Sequence, residues 1–344
     1  MRVAVLSGLR QVDTVNIGEP ELLPGTVVVA IDRCGIGGSD IDAYCAGDVP
    51  APAWFGHEWA GRVAAVGPDC PGRFEGERVV GAVPPPCGTC SPCLVGLGES
   101  CETVMAMIIG THHTASPHGA FAERIRVHSG RVHRVPDGVE QPNAALAEPA
   151  AVAAHAVSRG GQNLGDVVAV IGAGTVGLLV AELARLAGAA RVVAVDIEPG
   201  RRELACSLGA DAAFAPGAEL LRWLGEQSHG LGADVVYECA GRMEAVNLAV
   251  QAARPSGAVV LVGKSAEAGS IASRGLMDKQ LTVRASLGYT IADVHRALDL
   301  MADDRFRVSA IHERLVGFDE LVDAFDDLAS NPGARRKVMF SPNP

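Results

Sequence analysis

Val167-Val168-Ala169-Val170-Ile171-Gly172-Ala173-Gly174-Thr175-Val176-Gly177 is the stretch that decides the fold. Five consecutive small or β-branched apolar residues read as a strand covered on both faces, the situation of a strand inside a parallel sheet. The run breaks at glycine and passes at once into 178–187, where apolar residues recur at helical spacing. Strand, G-x-G-x-x-G and helix in this order are the fingerprint of a dinucleotide-binding turn. Gly172 permits the tight turn, Gly174 lets the backbone approach a pyrophosphate, and Gly177 lets the helix pack closely on the strand. The phosphates then lie at the helix N-terminus, beside Thr175 and Val176.

The next strand-like run, 191–195, is closed by Asp196, nineteen residues after Gly177. A carboxylate there accepts hydrogen bonds from a ribose 2′-hydroxyl and repels a 2′-phosphate, so NAD is expected ahead of NADP. Arg201 and Arg202 follow, and are the residues that would hold a phosphate instead. Further runs at 235–237 and 258–262 alternate with Ala- and Leu-rich helical segments, which argues for a doubly wound parallel sheet. Before this region the texture differs: β-rich runs at 27–31, 61–66, 78–83 and 120–127 are separated by Pro and Gly clusters, as in a compact, mostly β domain. After it come an amphipathic helix at 291–301, an acidic helix at 320–328 and a last strand at 337–340. This tail is expected to return to the first domain.

A length of 344 residues suits two domains of about 150 each. With 48% hydrophobic and 20% charged residues the chain can bury a core. A net charge of −11 repels phosphate backbones and anionic lipid surfaces, so neither nucleic acid nor a membrane is an expected partner. No apolar run reaches the roughly eighteen residues of a membrane span, and the start carries no leader-like segment, so a cytoplasmic location is expected. Nine cysteines are an odd number, and four of them, Cys87, Cys90, Cys93 and Cys101, fall within one short stretch. That spacing suits a closed tetrahedral site for one structural zinc rather than a disulfide framework. An iron–sulfur cluster is the competing metal.

Together these features resemble the zinc-type medium-chain dehydrogenase/reductase family of alcohol, polyol and threonine dehydrogenases, over nearly the whole chain. The motifs that carry the likeness are Gly56-His57-Glu58 followed by Ala60-Gly61, the four-cysteine lobe, Glu148-Pro149 ahead of His155, the glycine fingerprint, Glu238-Cys239-Ala240-Gly241, and the segment from Gly257 to Gly263. The resemblance implies an α/β fold in which a GroES-like, mostly β catalytic domain (1–151 and 289–344) is interrupted by a Rossmann domain (152–288). It also implies a substrate cleft between the two, and a homodimer or homotetramer acting on a small molecule.

Two positions depart from the family. Relatives hold a catalytic zinc through a cysteine, the histidine of G-H-E and a further cysteine or glutamate; His57 and Glu148 match the last two. The cysteine belongs at the fourth place of C-G-I-C-G-S-D, and this chain reads Cys34-Gly35-Ile36-Gly37-Gly38-Ser39-Asp40. The histidine that ends the usual proton relay is replaced by Asp42, although Ser39 keeps the relay hydroxyl. Three outcomes are open: a second zinc held by His57, Glu58 and Glu148, with Asp40 behind the histidine; Cys34 turning inward as a substitute; or no catalytic metal. In the last case Ser39, His57 or Tyr289 would donate to the developing oxyanion and Asp42 or Glu148 would accept the proton. The arginine that precedes the tyrosine in polyol dehydrogenases is here Gly288, which disfavours a sorbitol-like substrate and together with Gly37, Gly38 and Ala43 suggests room for a larger one, of secondary-metabolite type. The group Thr111-His112-His113 with His118 reads as a solvated loop.

The expected activity is hydride transfer between NAD(H) and a secondary alcohol or ketone, with a remodelled or absent catalytic zinc. The alternative is a redox-neutral or C=C/C=N-reducing enzyme on the same scaffold without that zinc.

Overall fold

A computed structural model describes residues 1–47, 55–108, 111–114, 118–264, 268–303, 305–331 and 337–344. The chain divides into two compact units, Met1–Glu148 with Thr290–Asp303 and His312–Pro344, and Pro149–Tyr289 with Asp304–Ile311.

The first unit opens with an antiparallel hairpin of β1 (Arg2–Gly8) and β2 (Gln11–Asn16). Strands β3 (Thr26–Gly35), β4 (Glu58–Val66), β5 (Arg78–Gly81), β6 (Arg124–His128) and β7 (Val132–Arg134) follow. Val27, Val29, Ile31, Val63 and Val79 join one apolar core, and around Val63 buried and exposed residues alternate, with Arg62 and Ala64 outward. Gly81 faces Trp59 so closely that any side chain at 81 would overlap the indole.

The second unit holds β8 (Val167–Ile171), β9 (Arg191–Val195), β10 (Ala212–Phe214), β11 (Ala233–Glu238), β12 (Ala253–Leu261) and β13 (Thr282–Ala285). All pair in parallel, in the order β10-β9-β8-β11-β12-β13. The order steps outward on both sides of β8, so the sheet is doubly wound and its switch point lies where β8 ends. Every residue of β8 is buried, which is why the sequence there is an unbroken apolar run.

The chain then returns. Strands β14 (His312–Val316) and β15 (Lys337–Phe340) complete a seven-stranded sheet in the order β14-β15-β3-β4-β5-β7, with β6 sharing with β15 the edge of β3 opposite β4. Phe121 meets Phe325 and Phe340 edge-on at 5.6 and 5.7 Å, an aromatic cluster that fastens the returning helix and strand to the first unit. The return differs in one segment from the sequence expectation. Asp304–Ile311 belongs with the second unit, because the Arg307 N–H donates to Glu182 Oε1 at 2.8 Å and its guanidinium reaches the Ser207 carbonyl. Among the described residues no helix is long and apolar enough to cross a membrane.

Candidate active and cofactor sites

The pairing of β15 with β3, Met339 opposite Gly35 and Phe340 opposite Cys34, brings the C-terminal strand beside the departure of the chain at Ile36. Gly37 caps the following helix, Gly38–Ala46, with φ −85° and ψ 163°, a conformation open to any residue. Its N–H donates to Asp40 Oδ2 at 2.8 Å, and the N–H of Gly56 donates to Oδ1 at 2.8 Å. Asp40 is wholly buried; burial raises its pKa, while His57 and these two N–H groups pull it back. Gly56 turns the chain at φ 80°, with Phe121 where a side chain would stand, and so delivers His57 and Glu58 to the start of β4.

His57 Nδ1 lies 3.8 Å from Asp40 Oδ1, close enough for charge attraction but too long for a hydrogen bond. Burial opposes a charge on His57, yet Asp40, Glu148 and Glu58 outweigh it and its pKa is raised. Glu58 is buried, and its Oε2 is paired with the ammonium of Lys337, which also donates to the Ile36 carbonyl at 2.8 Å. Glu148 stands in the first turn of the helix Ala147–Gly160. His57, Glu58 and Glu148 each present a donor atom within 4.8 Å of the others. Three convergent donors, one nitrogen and two carboxylate oxygens, fit a divalent cation with open positions left for substrate. Cys34 takes no part: its side chain lies in the apolar core, where burial pushes its thiol well up. Ser39 and Asp42 lie exposed on the helix that Gly37 caps. Lys337, absent from the sequence-derived set, is separated from Glu58 by most of the chain, and no local signal links them.

The lobe cysteines also converge. The sulfurs of Cys87, Cys90, Cys93 and Cys101 lie within 4.8 Å of one another. Cys90 and Cys101 are 3.8 Å apart, the edge of a tetrahedron with Zn–S bonds of about 2.3 Å. The backbone N–H groups of Thr89 and Cys90 point at Cys87 Sγ, and that of Cys87 at Cys101 Sγ. Hydrogen bonds from Thr89 and Thr103 hold the Cys87 thiol at about 5, well below its usual value, whereas burial pushes Cys93 up to about 12, so Cys87 loses its proton more readily than Cys93. The lobe fits one structural zinc.

In the second unit Gly172 has φ 98°, and a side chain there would press within 2.7 Å of Ala240 N. Gly177 packs against the Gly172 carbonyl, so close that a Cβ would overlap it. No side chain caps the helix Thr175–Leu186 at Gly174, and the space beside Gly174 is open out to Arg201 Nη1 at 4.0 Å. This is an anion cradle at a helix N-terminus, and its geometry fits a pyrophosphate. Asp196 ends β9, with Arg201 Nη1 3.6 Å from its Oδ2. Arg202 is turned away, donating to the carbonyls of Asp196 and Ile197. Tyr289 closes this unit, half-buried. Gly288 before it has φ 63°, so the backbone itself calls for glycine there, a reason separate from the loss of a substrate anchor.

The histidine group is only partly the solvated loop expected. His113 is exposed and His112 half-buried, but His118 is buried with Nδ1 2.9 Å from the Gly119 carbonyl. It lines a cavity of about 10 Å³ with His57, Trp59 and Arg131, room for one water.

Two family models match the chain: "Alcohol dehydrogenase GroES-like domain" over residues 23–137 and "Zinc-binding dehydrogenase" over 175–303. Probable D-xylulose reductase A of Aspergillus clavatus is 31% identical over 97% of this chain and 95% of its own length. A zinc-binding dehydrogenase of Sinorhizobium meliloti, solved bound to NADP, is 30% identical, covers 99% of both chains and superposes with a TM-score of 0.86. The 2R,3R-butanediol dehydrogenase of Bacillus subtilis is 27% identical over 99% of both, with a TM-score of 0.87.

Proposed function

Since the chain belongs to the zinc-type medium-chain dehydrogenase/reductase family, we propose that it transfers hydride between NAD(H) and a secondary alcohol or its ketone, at a centre rebuilt around His57, Glu58 and Glu148. The observation that carries the reading is the turn at Gly172, with its open helix N-terminus and Asp196 alongside. Asp196 presents a carboxylate where the two ribose hydroxyls would donate, which favours NAD over NADP.

A dinucleotide in the cradle at Gly172 and Gly174 would supply the hydride acceptor or donor, and a divalent cation held by His57, Glu58 and Glu148 would supply Lewis acidity toward a substrate oxygen. The chain's own residues do the rest. Gly174, Thr175 and Val176 hold the pyrophosphate by backbone N–H groups, and Arg201 adds a charge beside it. Asp40 fixes the turns at Gly37 and Gly56 and so orients His57. The proton released by a substrate hydroxyl would leave by way of Ser39 and Asp42, both exposed on the helix that Gly37 caps, to water. Gly37 opens no room for a bulkier substrate, because a Cβ there would already stand 2.8 Å from Glu58 Oε1, 3.2 Å from Asp40 Oδ2 and 3.3 Å from His57 Cε1. D-Xylulose and butanediol, named for two relatives, place a polyol or diol first among the compounds to try.

Strand β13 forms an open edge of its sheet, with Thr282–Ala285 all exposed and Leu287 79% exposed nearby. Such an edge is a template for pairing, and two copies joined there would give a homodimer. The reduced thiols that the lobe requires suit the cytoplasm.

The test is to follow the absorbance of reduced nicotinamide with a panel of secondary alcohols and ketones, with NAD(H) and NADP(H) in parallel. Turnover with NAD(H) supports the reading. Binding of neither dinucleotide would remove it.

A further inference from the structure

We propose that the Glu58 carboxylate stands where relatives place the thiolate of position 37, and that His57, Glu58 and Glu148 thereby form an all-nitrogen-and-oxygen site that accepts manganese(II), a cation a thiolate site rejects. This rests on the metal-bearing centre of the preceding reading, and adds which side chain replaces the lost ligand and which cations follow.

The space at Gly37 shows the exchange. A Cβ built there would lie 2.8 Å from Glu58 Oε1, 3.2 Å from Asp40 Oδ2 and 3.3 Å from His57 Cε1. The backbone at 37 does not require glycine, so what glycine provides is room, and Glu58 Oε1 uses it. A cysteine at 37 and Glu58 in its present position exclude each other. Lys337 fixes the arrangement: it holds Glu58 Oε2, while Oε1 fills the space at Gly37 next to His57 Cε1. Gly35 makes that pairing possible, since a Cβ there would lie 2.7 Å from Lys337 Cε.

Charge points to the same occupant. The carboxylates of Glu58 and Glu148 converge with His57 against the one ammonium of Lys337, a donor set that a divalent cation completes. Uncompensated buried carboxylates are costly, so the cluster as built favours a cation. Its chemistry follows from the donors. Thiolate is the soft ligand that separates zinc from manganese; carboxylates favour hard, higher-coordinate ions, and imidazole tolerates both. Zinc still binds such a site more tightly than manganese(II), but by a much smaller factor than when a thiolate is present.

The experiment takes the full-length protein with its lobe zinc retained, stripped of weakly held metal by a mild chelator. Manganese(II) chloride is then titrated in, with the spin-resonance signal of the free ion read at each step. One Mn²⁺ per chain is expected beside one residual zinc. Glu58→Gln should weaken Mn²⁺ binding by about 10–100-fold. Gly37→Cys should move the competition between Zn²⁺ and Mn²⁺ at least tenfold toward zinc. NADH binding, carried by the second unit, checks that each variant is folded. Absence of Mn²⁺ binding in a protein that binds NADH, or undiminished binding in Glu58→Gln, overturns the proposal. Those failures leave nicotinamide-linked turnover standing, whereas Mn²⁺ binding without any turnover would sink the functional reading and keep this one.

Discussion

Asp196 Oδ2 accepts the backbone N–H of Ala173 at 2.8 Å, so the carboxylate that closes β9 also pins the glycine turn that closes β8. Its other oxygen accepts the N–H of Glu198 at 2.9 Å, and the group is pre-set before any ribose arrives. Asp196→Ala removes the acceptor and its charge while leaving Arg201 in place. Charge-assisted hydrogen bonds are worth about 1.5–3 kcal/mol, so NADH affinity should fall about 10–100-fold. NADPH should fall less or gain, moving the ratio of the two at least tenfold toward NADPH. Fluorescence titration of both nucleotides checks this, and an unchanged ratio would refute the assignment of Asp196 to the ribose.

Two glycines of the same turn should separate stability from binding. Gly172 combines φ 98° with a Cβ position 2.7 Å from Ala240 N, so Gly172→Ala strains the backbone and crowds β11's end. A loss of about 1–3 kcal/mol of stability is expected, together with weaker NADH binding. Gly174 has φ −71° and nothing nearer to its Cβ position than Arg201 Nη1 at 4.0 Å. Gly174→Ala should therefore leave the melting temperature unchanged and weaken NADH by at least tenfold, because the methyl stands where the pyrophosphate approaches. Equal behaviour of the two variants in both measurements would contradict these roles.

The parallel sheet was legible because its central strands are covered on both faces: 167–171 and 192–195 are continuous apolar runs that stop at Gly172 and Asp196, and the strands end there too. The helix Ile291–Met301 was readable in the same way, from its apolar spacing, and the structure adds a Thr290/Asp293 capping box at its start. The hairpin of β1 and β2 was not, because its turn runs through Leu9 and Arg10, with Arg10 at φ 53° and no Asn-Gly or Asp-Gly to announce it. At the centre, His57, Glu58 and Glu148 were visible as residue types in a motif. Lys337 was not, since its partnership with Glu58 arises from the pairing of β15 with β3, a long-range contact with no trace in local sequence. His118 misled for a related reason: a histidine among loop residues reads as solvated, and only the packing of its neighbours buries it.

The lobe yields a prediction on metal content. Cys101 is the buried member of the four thiols, 1% exposed, and receives the Cys87 N–H. Cys101→Ser replaces a soft thiolate with a poor zinc ligand, so one zinc per chain should be lost by elemental analysis. Cleavage by a dilute protease should then concentrate within the lobe, since its few apolar contacts do not hold it without the metal. NADH affinity should change little, because the dinucleotide cradle belongs to the other unit. Retention of zinc at the parent stoichiometry would show that the four cysteines are not the ligands.

His133 gives the pH dependence a definite sign. It is 8% exposed, with Nε2 3.3 Å from the Val83 carbonyl and Nδ1 3.3 Å from His295 Nε2. A nitrogen facing a carbonyl must carry the proton, so Nδ1 is the acceptor and His295 the donor. Charging His133 would set two donors face to face, beside Arg73. Burial accordingly lowers its pKa below 6.5, with His295 and Arg73 adding to the shift. Its folded pKa lies under the unfolded one, so the unfolded chain binds the proton first as pH falls. The neutral pairing is thus fully effective above about pH 6.5, and stability declines below it until the folded pKa is reached. One proton contributes at most about 1.4 kcal/mol per pH unit. The melting temperature should fall between about pH 7 and pH 5, and His133→Leu should flatten that slope by up to one proton, with His118, whose pKa burial also lowers, accounting for part of the remainder. If the slope is the same in His133→Leu, the pair is not what makes the fold acid-sensitive.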